Sequence, residues 1–282
     1  MTILNLHKTR LMALVLLPCL ALSLNSCEID PTQQLEERSW TLTWSDEFEG
    51  EAGSSINTDI WNYDLGRGDN GWGNEELQIY TNDTVENVFL DGEGNLVIRA
   101  TSEDAGSFSI YRSARITTKG NFSQAYGRFE ARLKTPFGPG LWPAFWMLGD
   151  NIDEVGWPQC GEIDVMELRG QQPNIALGSL HGPGYSAGNA ITGSFSMVDG
   201  RFDTEFHLYA VEWFEDRIDF FIDDFLYQRI TREDIPDDAE WVYDQPFYLL
   251  LNVAVGGTFV GFPSSQTPFP QTMTVDYVRV YE

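Results

Sequence analysis

The chain has 282 residues and a formal net charge of −26, which is enough length for one large all-β domain or two small ones. The negative charge excludes nucleic acid as a partner, because nucleic-acid-binding proteins present basic patches, and it argues against an anionic polymer. A neutral partner, or simple solubility in a salty medium, is compatible with it. Aromatic residues make up 13% of the chain and include nine Trp, more than a sandwich core usually needs.

The N-terminus has the pattern of an export signal. Two basic residues precede an apolar run at 11–24, which has signal-peptide length and is too short to span a membrane comfortably. The run ends in Leu24-Asn25-Ser26-Cys27, which is similar to a bacterial lipobox, so we expect a lipoprotein signal peptide at 1–26 and lipid on Cys27. Plain secretion with an incidental cysteine is the alternative. Residues 27–39 are polar and acidic and predict a flexible tether. The expected location is the cell surface or the periplasmic face of the outer membrane.

The remaining chain, 40–282, shows no linker, repeat or low-complexity run and predicts one domain. Period-two alternation and short apolar runs predict strands, and no segment predicts a helix of three turns. The acidic pairs Glu215-Asp216 and Asp223-Asp224 predict hairpin turns. Many antiparallel strands in this length imply an all-β sandwich of two sheets or a jelly roll. The strands are predicted at 95–100, 126–134, 207–214, 217–222, 225–230, 247–255 and 272–281.

One segment, 161–168, alternates acidic and apolar residues. Glu162 and Asp164 are two apart, so on a strand they share a face, and Ile163 points into the core. Strict alternation would bury Glu167 without a partner, which is costly. A β-bulge at Val165-Met166 would return Glu167 to the face of the other two acids, and bulges are frequent beside active sites.

Three acids on one strand face repel each other and are poor choices for stability. They suit glycosidic cleavage, in which one carboxylate attacks or stabilises the anomeric carbon and one carboxylic acid protonates the leaving oxygen. Repulsion between neighbouring carboxylates raises the pKa of one of them, which keeps it protonated near neutral pH. A solvated acidic strand or a metal site remains open on this segment alone.

The sequence around these acids resembles a known family. CGEIDVME (160–167) is similar to the signature of glycoside hydrolase family 16 in its bulged E-x-D-x-x-E form, which is typical of laminarinase-like β-1,3-glucanases and their mixed-linkage relatives. The resemblance runs in order through nearly all of 40–282. The other matching segments are WSDEF (44–48), GWGNEELQ (71–78), SARITTK (113–119), YGRFEAR (126–132), WPAFWML (142–148) and VDYVRVY (275–281).

The resemblance implies a concanavalin A-like β-jelly-roll sandwich of two curved antiparallel sheets and a retaining double displacement. Carried over by position, Glu162 is the nucleophile, Glu167 is the general acid/base, and Asp164 orients or tunes the pair. No cofactor is expected for catalysis. A monomer acting on a neutral β-glucan is expected.

Three tryptophans are candidates for stacking against sugar rings. Trp142 and Trp146 are four apart and share a strand face, in a stretch that lines the cleft of the family; core packing is equally open for Trp146. Trp72 lies between two glycines at a loop tip, where a large aromatic side chain favours a binding platform over a core position.

Four polar residues complete the predicted substrate site. Asn74 and Arg115 match positions that bind sugar hydroxyls in relatives, although Arg115 could equally pair with an acid. His181 ends a strand before a glycine-rich loop and is expected to bind Asp164 or a sugar, with a structural histidine as the alternative. Gln271 is expected to reach the substrate. A zinc site is not expected, because the chain has only three histidines.

Family members often carry one structural Ca²⁺ away from the catalytic centre. The matching positions are Glu47, Gly94 and Asp276, whose carboxylate and carbonyl oxygens suit this ion. The ion would tie the terminal strands together. A surface role for the Asp276 carboxylate is the alternative.

The expected activity is endo-hydrolysis of β-1,3-glucans of the laminarin type, extending to mixed-linkage β-1,3-1,4-glucans. Three alternatives stay open. A galactan hydrolase of agarase or carrageenase type shares the family, a glycan-binding protein shares the sandwich, and a transglycosylase shares the mechanism.

Overall fold

The computed structural model describes residues 39–282. The expected signal peptide, the Cys27 lipidation site and the tether up to residue 38 lie outside these residues. Within 39–282, no helix is both long enough and apolar enough to cross a bilayer.

The described chain is built almost entirely from strands. Three short helical turns interrupt them: a π-helical turn at Gly71–Glu75, the α-helical turn α1 (Ile152–Val155) and a 3₁₀ turn at Ala187–Asn189. The strands are β1 (Leu42–Asp46), β2 (Asn62–Asp64), β3 (Gln78–Tyr80), β4 (Val88–Leu90), β5 (Leu96–Asp104), β6 (Ser109–Ser113), β7 (Arg115–Thr117), β8 (Gly127–Lys134), β9 (Leu141–Gly149), β10 (Glu162–Leu168), β11 (Ile175–His181), β12 (Ile191–Ser196), β13 (His207–Trp213), β14 (Arg217–Ile222), β15 (Phe225–Thr231), β16 (Phe247–Val255) and β17 (Gln271–Tyr281).

The strands form two sheets. One sheet has ten strands with the order β15-β14-β13-β8-β17-β5-β6-β3, and β1 and β4 pair with β17 and β5 beside this path. The other has seven strands with the order β12-β11-β10-β9-β16-β7-β2. All pairs are antiparallel except β3 with β6. The two sheets have mainly antiparallel strands, and many neighbouring strands are distant in sequence. This architecture matches the predicted jelly-roll sandwich.

The core lies between the sheets and is apolar on both sides. Phe129 on β8, Phe145 on β9, Ile163 on β10 and Leu251 on β16 are all fully buried in one cluster. Burial of large apolar side chains between the layers supplies the dominant stabilisation. The cluster fixes which face of β10 points outward.

Most strand predictions agree with the structure. β14 and β16 match their predicted bounds, and β8, β13, β15 and β17 differ by one residue at an end. β5 continues to Asp104, four residues beyond its predicted end at Ala100. Asp223 and Asp224 form a tight turn between β14 and β15, and both have positive φ (50° and 63°), as a two-residue hairpin loop requires.

Candidate active site

The outer face of the seven-stranded sheet carries a cleft of about 1140 Å³. The cleft crosses the strands, because its lining residues come from β7, β16, β9, β10, β11 and β12. Nine of the ten residues predicted for catalysis or substrate binding line this one cleft: Trp72, Asn74, Arg115, Trp142, Trp146, Glu162, Asp164, Glu167 and His181.

The three acids reach the cleft because β10 contains the predicted bulge. Asp164 is paired with Trp146 on β9, and the register then shifts before Glu167 pairs with Ala144. Val165 and Met166, the two residues within the shift, are both buried in the core. The bulge therefore keeps apolar residues inside and returns Glu167 to the outer face, as a bulge beside an active site commonly does.

Burial raises the pKa of all three acids. Asp164 is 2% exposed and Glu167 is 8% exposed. Burial raises the pKa of Asp164 to about 7, and burial together with the charge of Asp164 raises the pKa of Glu167 to about 8. The pKa of Glu162 is also raised, by burial and then by repulsion from Asp164. Because like charges this close cannot all ionise at neutral pH, the cluster retains protons there.

An indole N–H meets each of the two glutamates. Nε1 of Trp142 donates to Oε1 of Glu167 at 2.8 Å, and Nε1 of Trp157 donates to Oε2 of Glu162 at 2.9 Å. Trp142 is the second residue of β9, and Trp157 lies in the segment between α1 and β10. The two donors thus approach β10 from its opposite ends.

His181 faces the acids from β11. Its Nε2 lies 2.9 Å from Oδ2 of Asp164 and 3.8 Å from Oε1 of Glu162. The backbone N–H of Ala187 donates to Nδ1 at 3.1 Å, so the hydrogen of the neutral ring is assigned to Nε2. One oxygen or nitrogen from each of Glu162, Asp164 and His181 lies within 4.8 Å of the others, a spacing compatible with a metal ion. With the hydrogen of the neutral ring assigned to Nε2, no ring lone pair faces these acids, which disfavours a metal ion at this group.

Arg115 and two indoles form a stack at one end of the cleft. The guanidinium carbon of Arg115 lies 4.6 Å from the Trp72 ring centre and 4.7 Å from that of Trp146. Nε of Arg115 also pairs with Asp64 at 2.8 Å, which is the acid pairing predicted as the alternative to a sugar contact. Trp146 donates its N–H to Asn252 at 2.7 Å. Trp146 is therefore held in the cleft and not in the core between the sheets.

Asn74 is held by a buried acid. Its Nδ2 donates to Oε1 of Glu76 at 3.2 Å, while Oε2 of Glu76 accepts from Gln78 at 2.6 Å and from Tyr80 at 3.3 Å. Burial raises the pKa of Glu76. The Tyr80 hydroxyl in turn accepts from Asn252, at 3.1 Å, so the network continues to the cleft floor.

Gln271 is the predicted substrate residue that the structure does not bring to the cleft. It begins β17 in the ten-stranded sheet, and its Oε1 accepts the backbone N–H of Phe137 at 3.1 Å. Its side chain therefore supports the turn before β9. The expectation of a substrate contact overlooked that β17 belongs to the other layer.

The predicted calcium positions lie on or beside β17, on the side where it pairs with β1 and β5. Val275 pairs with β5 and Val278 with β1, so Asp276 lies at the gap between those two strands, which Glu47 and Gly94 border. The carboxylate of Glu47 accepts two hydrogen bonds from Arg279, and that of Asp276 pairs with Arg132. A Cβ added to Gly94 would lie 4.0 Å from the carbonyl oxygen of Glu47. Because arginines already pair with both carboxylates, the backbone carbonyl oxygens are the more available ligands for a Ca²⁺ ion at these positions.

Several residues that line the cleft were not singled out from the sequence, including five that hydrogen-bond to or pack on other cleft residues. Trp157 lies five residues before Glu162, and this closeness in sequence to the acidic strand could have indicated a position in the cleft. Asn252 follows an unbroken apolar run, where a polar side chain signals an outward position. The others gave no local signal. The five are Glu76, Trp157, Arg169, Asn252 and Phe259.

Comparison with known proteins agrees with this geometry. The chain is 42% identical over 251 residues to a beta-glucanase of Rhodothermus marinus, which covers 86% of this chain and 85% of that protein. The laminarinase catalytic domain of Thermotoga maritima superposes with a TM-score of 0.80 at 44% identity, covering 87% of this chain and 99% of that one. An endo-β-1,3-glucanase of Pyrococcus furiosus gives the same score and identity over 86% and 94%. The sequence profile of Glycosyl hydrolases family 16 matches residues 72–279, and the chain belongs to that family.

Proposed function

We propose that the protein is a retaining endo-β-1,3-glucanase of the laminarinase type. The observation that carries the proposal is the pair Glu162 and Glu167 on one strand face, in a cleft that crosses the sheet and is open to a polymer. The relatives with 42–44% identity are named as a β-glucanase, a laminarinase and an endo-β-1,3-glucanase. Their names support hydrolysis of β-1,3-glucan over a galactan or a binding role.

The geometry suggests how the two steps proceed. Glu167, with a pKa of about 8, is protonated at neutral pH and donates that proton to the glycosidic oxygen as the bond breaks. Glu162 attacks the anomeric carbon as a carboxylate and forms the glycosyl-enzyme. Glu167, now ionised, removes a proton from water, and this water releases the sugar from Glu162.

Asp164 serves this cycle as a proton partner. It lies two residues from Glu162 on the same face and contacts Nε2 of His181. With a pKa of about 7 it can hold a proton at neutral pH, which relieves the repulsion against an ionised Glu162. The backbone N–H of Ala187 donates to Nδ1 of His181, which leaves Nε2 facing Asp164.

The aromatic side chains support a neutral glucan as substrate. Trp72, Trp142 and Trp146 line the cleft together with Phe259, which packs on Trp142 at 4.9 Å between ring centres. Flat apolar rings suit the faces of glucosyl units and give no reason for sulfate recognition. We extend the proposal to mixed-linkage β-1,3-1,4-glucan, because such rings contact sugar faces without reading the linkage between them.

The test is product analysis on laminarin, curdlan, lichenan and agarose with wild type and Glu162→Gln. Wild type is expected to release glucan oligosaccharides, and the variant at least about 10³-fold less, since a catalytic nucleophile is lost. Glu93→Gln, at an exposed turn, is the matched control and should retain full activity. Cleavage by Glu162→Gln at the wild-type rate would exclude the mechanism, and activity on agarose alone would exclude the substrate.

We also propose that Cys27 carries lipid and anchors the enzyme to a membrane, facing outward or toward the periplasm. The lipobox-like end of the apolar run supports this. The full chain expressed in a bacterial host should fractionate with membranes and incorporate labelled fatty acid. Cys27→Ala should release it into the soluble fraction, and retention on membranes by that variant would contradict the proposal.

A structural Ca²⁺ is proposed at the gap on the edge of β17. The carbonyl oxygens of Glu47 and Gly94 and one oxygen of Asp276 would hold it, and its chemistry there would be to link β1, β5 and β17. Arg132 predicts a weak site, since it competes with the ion for the Asp276 carboxylate. Added Ca²⁺ should raise the melting temperature of wild type and not of Asp276→Asn; equal melting in Ca²⁺ and in a chelator would rule it out.

A further inference from the structure

The two glutamates of β10 have separate indole donors. Trp142 donates to Glu167 from β9, whereas Trp157 donates to Glu162 from the segment between α1 and β10. Each acid is therefore coupled to one tryptophan that the other acid does not contact.

Trp157 is placed for a role beyond core packing. Its side chain is 44% exposed, so little apolar burial holds it in position. Its N–H nevertheless points at Oε2 of Glu162 at 2.9 Å, and its ring lies 6.0 Å from that of His181. An N–H can only donate, so this contact is stronger when Glu162 is ionised.

The surroundings of Glu162 otherwise disfavour ionisation. Burial disfavours its carboxylate form most, and the acids Asp164 and Glu167, which face it from β10, add repulsion. The Cys160 thiol and the Tyr243 hydroxyl lie near Glu162 on the adjoining segments. Burial raises the pKa of each, so both are neutral near pH 7 and add no charge beside Glu162. His181, on β11, acts in the other direction and lowers the pKa of Glu162. A nucleophile in this setting requires donors that favour the carboxylate.

We propose that Trp157 is a positioning residue for the nucleophile. Its N–H favours the carboxylate form of Glu162 and holds Oε2, which leaves Oε1, on the His181 side, as the attacking atom. The inference rests on the proposed function, in which Glu162 attacks the anomeric carbon. Trp142 performs the equivalent task for Glu167, so the two indoles tune opposite limbs of the pH profile.

The experiment is the pH dependence of kcat/KM on a soluble β-1,3-glucan for Trp157→Phe and Trp142→Phe. Phenylalanine keeps an aromatic ring and removes the N–H. In Trp157→Phe the pKa of Glu162 rises, so the acidic limb should move up by about one pH unit, equivalent to about 1.4 kcal/mol, while the basic limb stays in place. In Trp142→Phe the pKa of Glu167 rises, so the basic limb should move up instead.

A second readout isolates the nucleophile. An aryl β-glucoside of the same linkage with a good leaving group needs no proton from Glu167, so its rate in single-turnover conditions reports attack by Glu162. Trp157→Phe should slow this step about tenfold, as loss of a hydrogen bond to a charged group predicts. Trp40→Phe, which stacks on Phe214 away from the cleft, is the control and should match wild type.

An unchanged acidic limb together with an unchanged aryl-glycoside rate in Trp157→Phe would overturn the inference. A shift of both limbs by the same amount would also overturn it, since that is the result of general distortion. The melting temperature of the variant should stay within a few degrees of wild type because the side chain is half exposed. Failure of the proposed function appears separately, as activity that survives Glu162→Gln.

Discussion

Glu167, the proposed general acid/base, is expected to lower the free energy of unfolding of the protein as the pH rises. Burial beside Asp164 raises its pKa from 4.5 to about 8. Because the folded-state pKa lies above the unfolded value, the folded protein binds this proton more tightly. The contribution of the group to stability is thus fully present below about pH 4 and is lost as the pH rises toward about 8.

The magnitude follows from the size of the shift. Each pH unit between the two pKa values costs about 1.4 kcal/mol, so wild type should lose about 3 kcal/mol from this group between pH 5 and pH 7.5. Glu167→Gln removes the ionisation but keeps the shape and an oxygen that accepts the Trp142 N–H. The variant should therefore be inactive and more stable than wild type, with an advantage that grows with pH.

The assay is equilibrium denaturation at pH 5, 6, 7 and 8, with the free energies of unfolding compared at each pH. Glu93→Gln removes an exposed carboxylate and serves as the control. Its difference from wild type should stay within about 0.5 kcal/mol throughout. A stability difference for Glu167→Gln that is constant across this range, or that favours wild type at pH 8, would refute the reasoning.

Three further predictions concern the pH profile, the floor of the cleft and the core. The kcat/KM of wild type should fall as the pH rises through about 8, since Glu167 must be protonated to donate; a basic limb near pH 5 would contradict this. Asn252→Leu removes the acceptor of the Trp146 N–H and the donor to Tyr80, so KM for glucan should rise about tenfold with a smaller change in kcat, as steady-state kinetics will show. Phe145→Ala should lower the free energy of unfolding by about 3–5 kcal/mol, as measured by chemical denaturation, because the side chain is fully buried between the sheets. A loss below about 1 kcal/mol would mean that the neighbouring side chains fill the space that Phe145 leaves.

Strand β10, which carries Glu162, Asp164 and Glu167, was the part most open to prediction from sequence. Its period-two alternation fixes the core side, and Glu167 can only be reconciled with it by inserting one residue. The register shift after Asp164 supplies that residue. The limits of strands β14 and β16 were equally predictable, because hairpin turns or polar segments flank their apolar runs.

The surroundings of the acids were less predictable, since they depend on which strands become neighbours. Asn252 reaches Trp146 because β16 pairs with β9 across 106 residues of sequence, which no local pattern encodes. The orientation of Trp72 depends on a left-handed backbone (φ 56°, ψ 28°) in a glycine-flanked loop. The same limit explains Gln271, whose strand lies in the other layer.

The acids Glu162, Asp164 and Glu167 all belong to β10, an interior strand with β9 on one side and β11 on the other. Interior strands that share a core open only with the whole domain, whereas edges and loops open on their own. Heating should therefore leave the chemistry intact until the sandwich melts, and residual activity should follow the folded fraction. Turnover would then serve as a direct gauge of how much of the population is still folded.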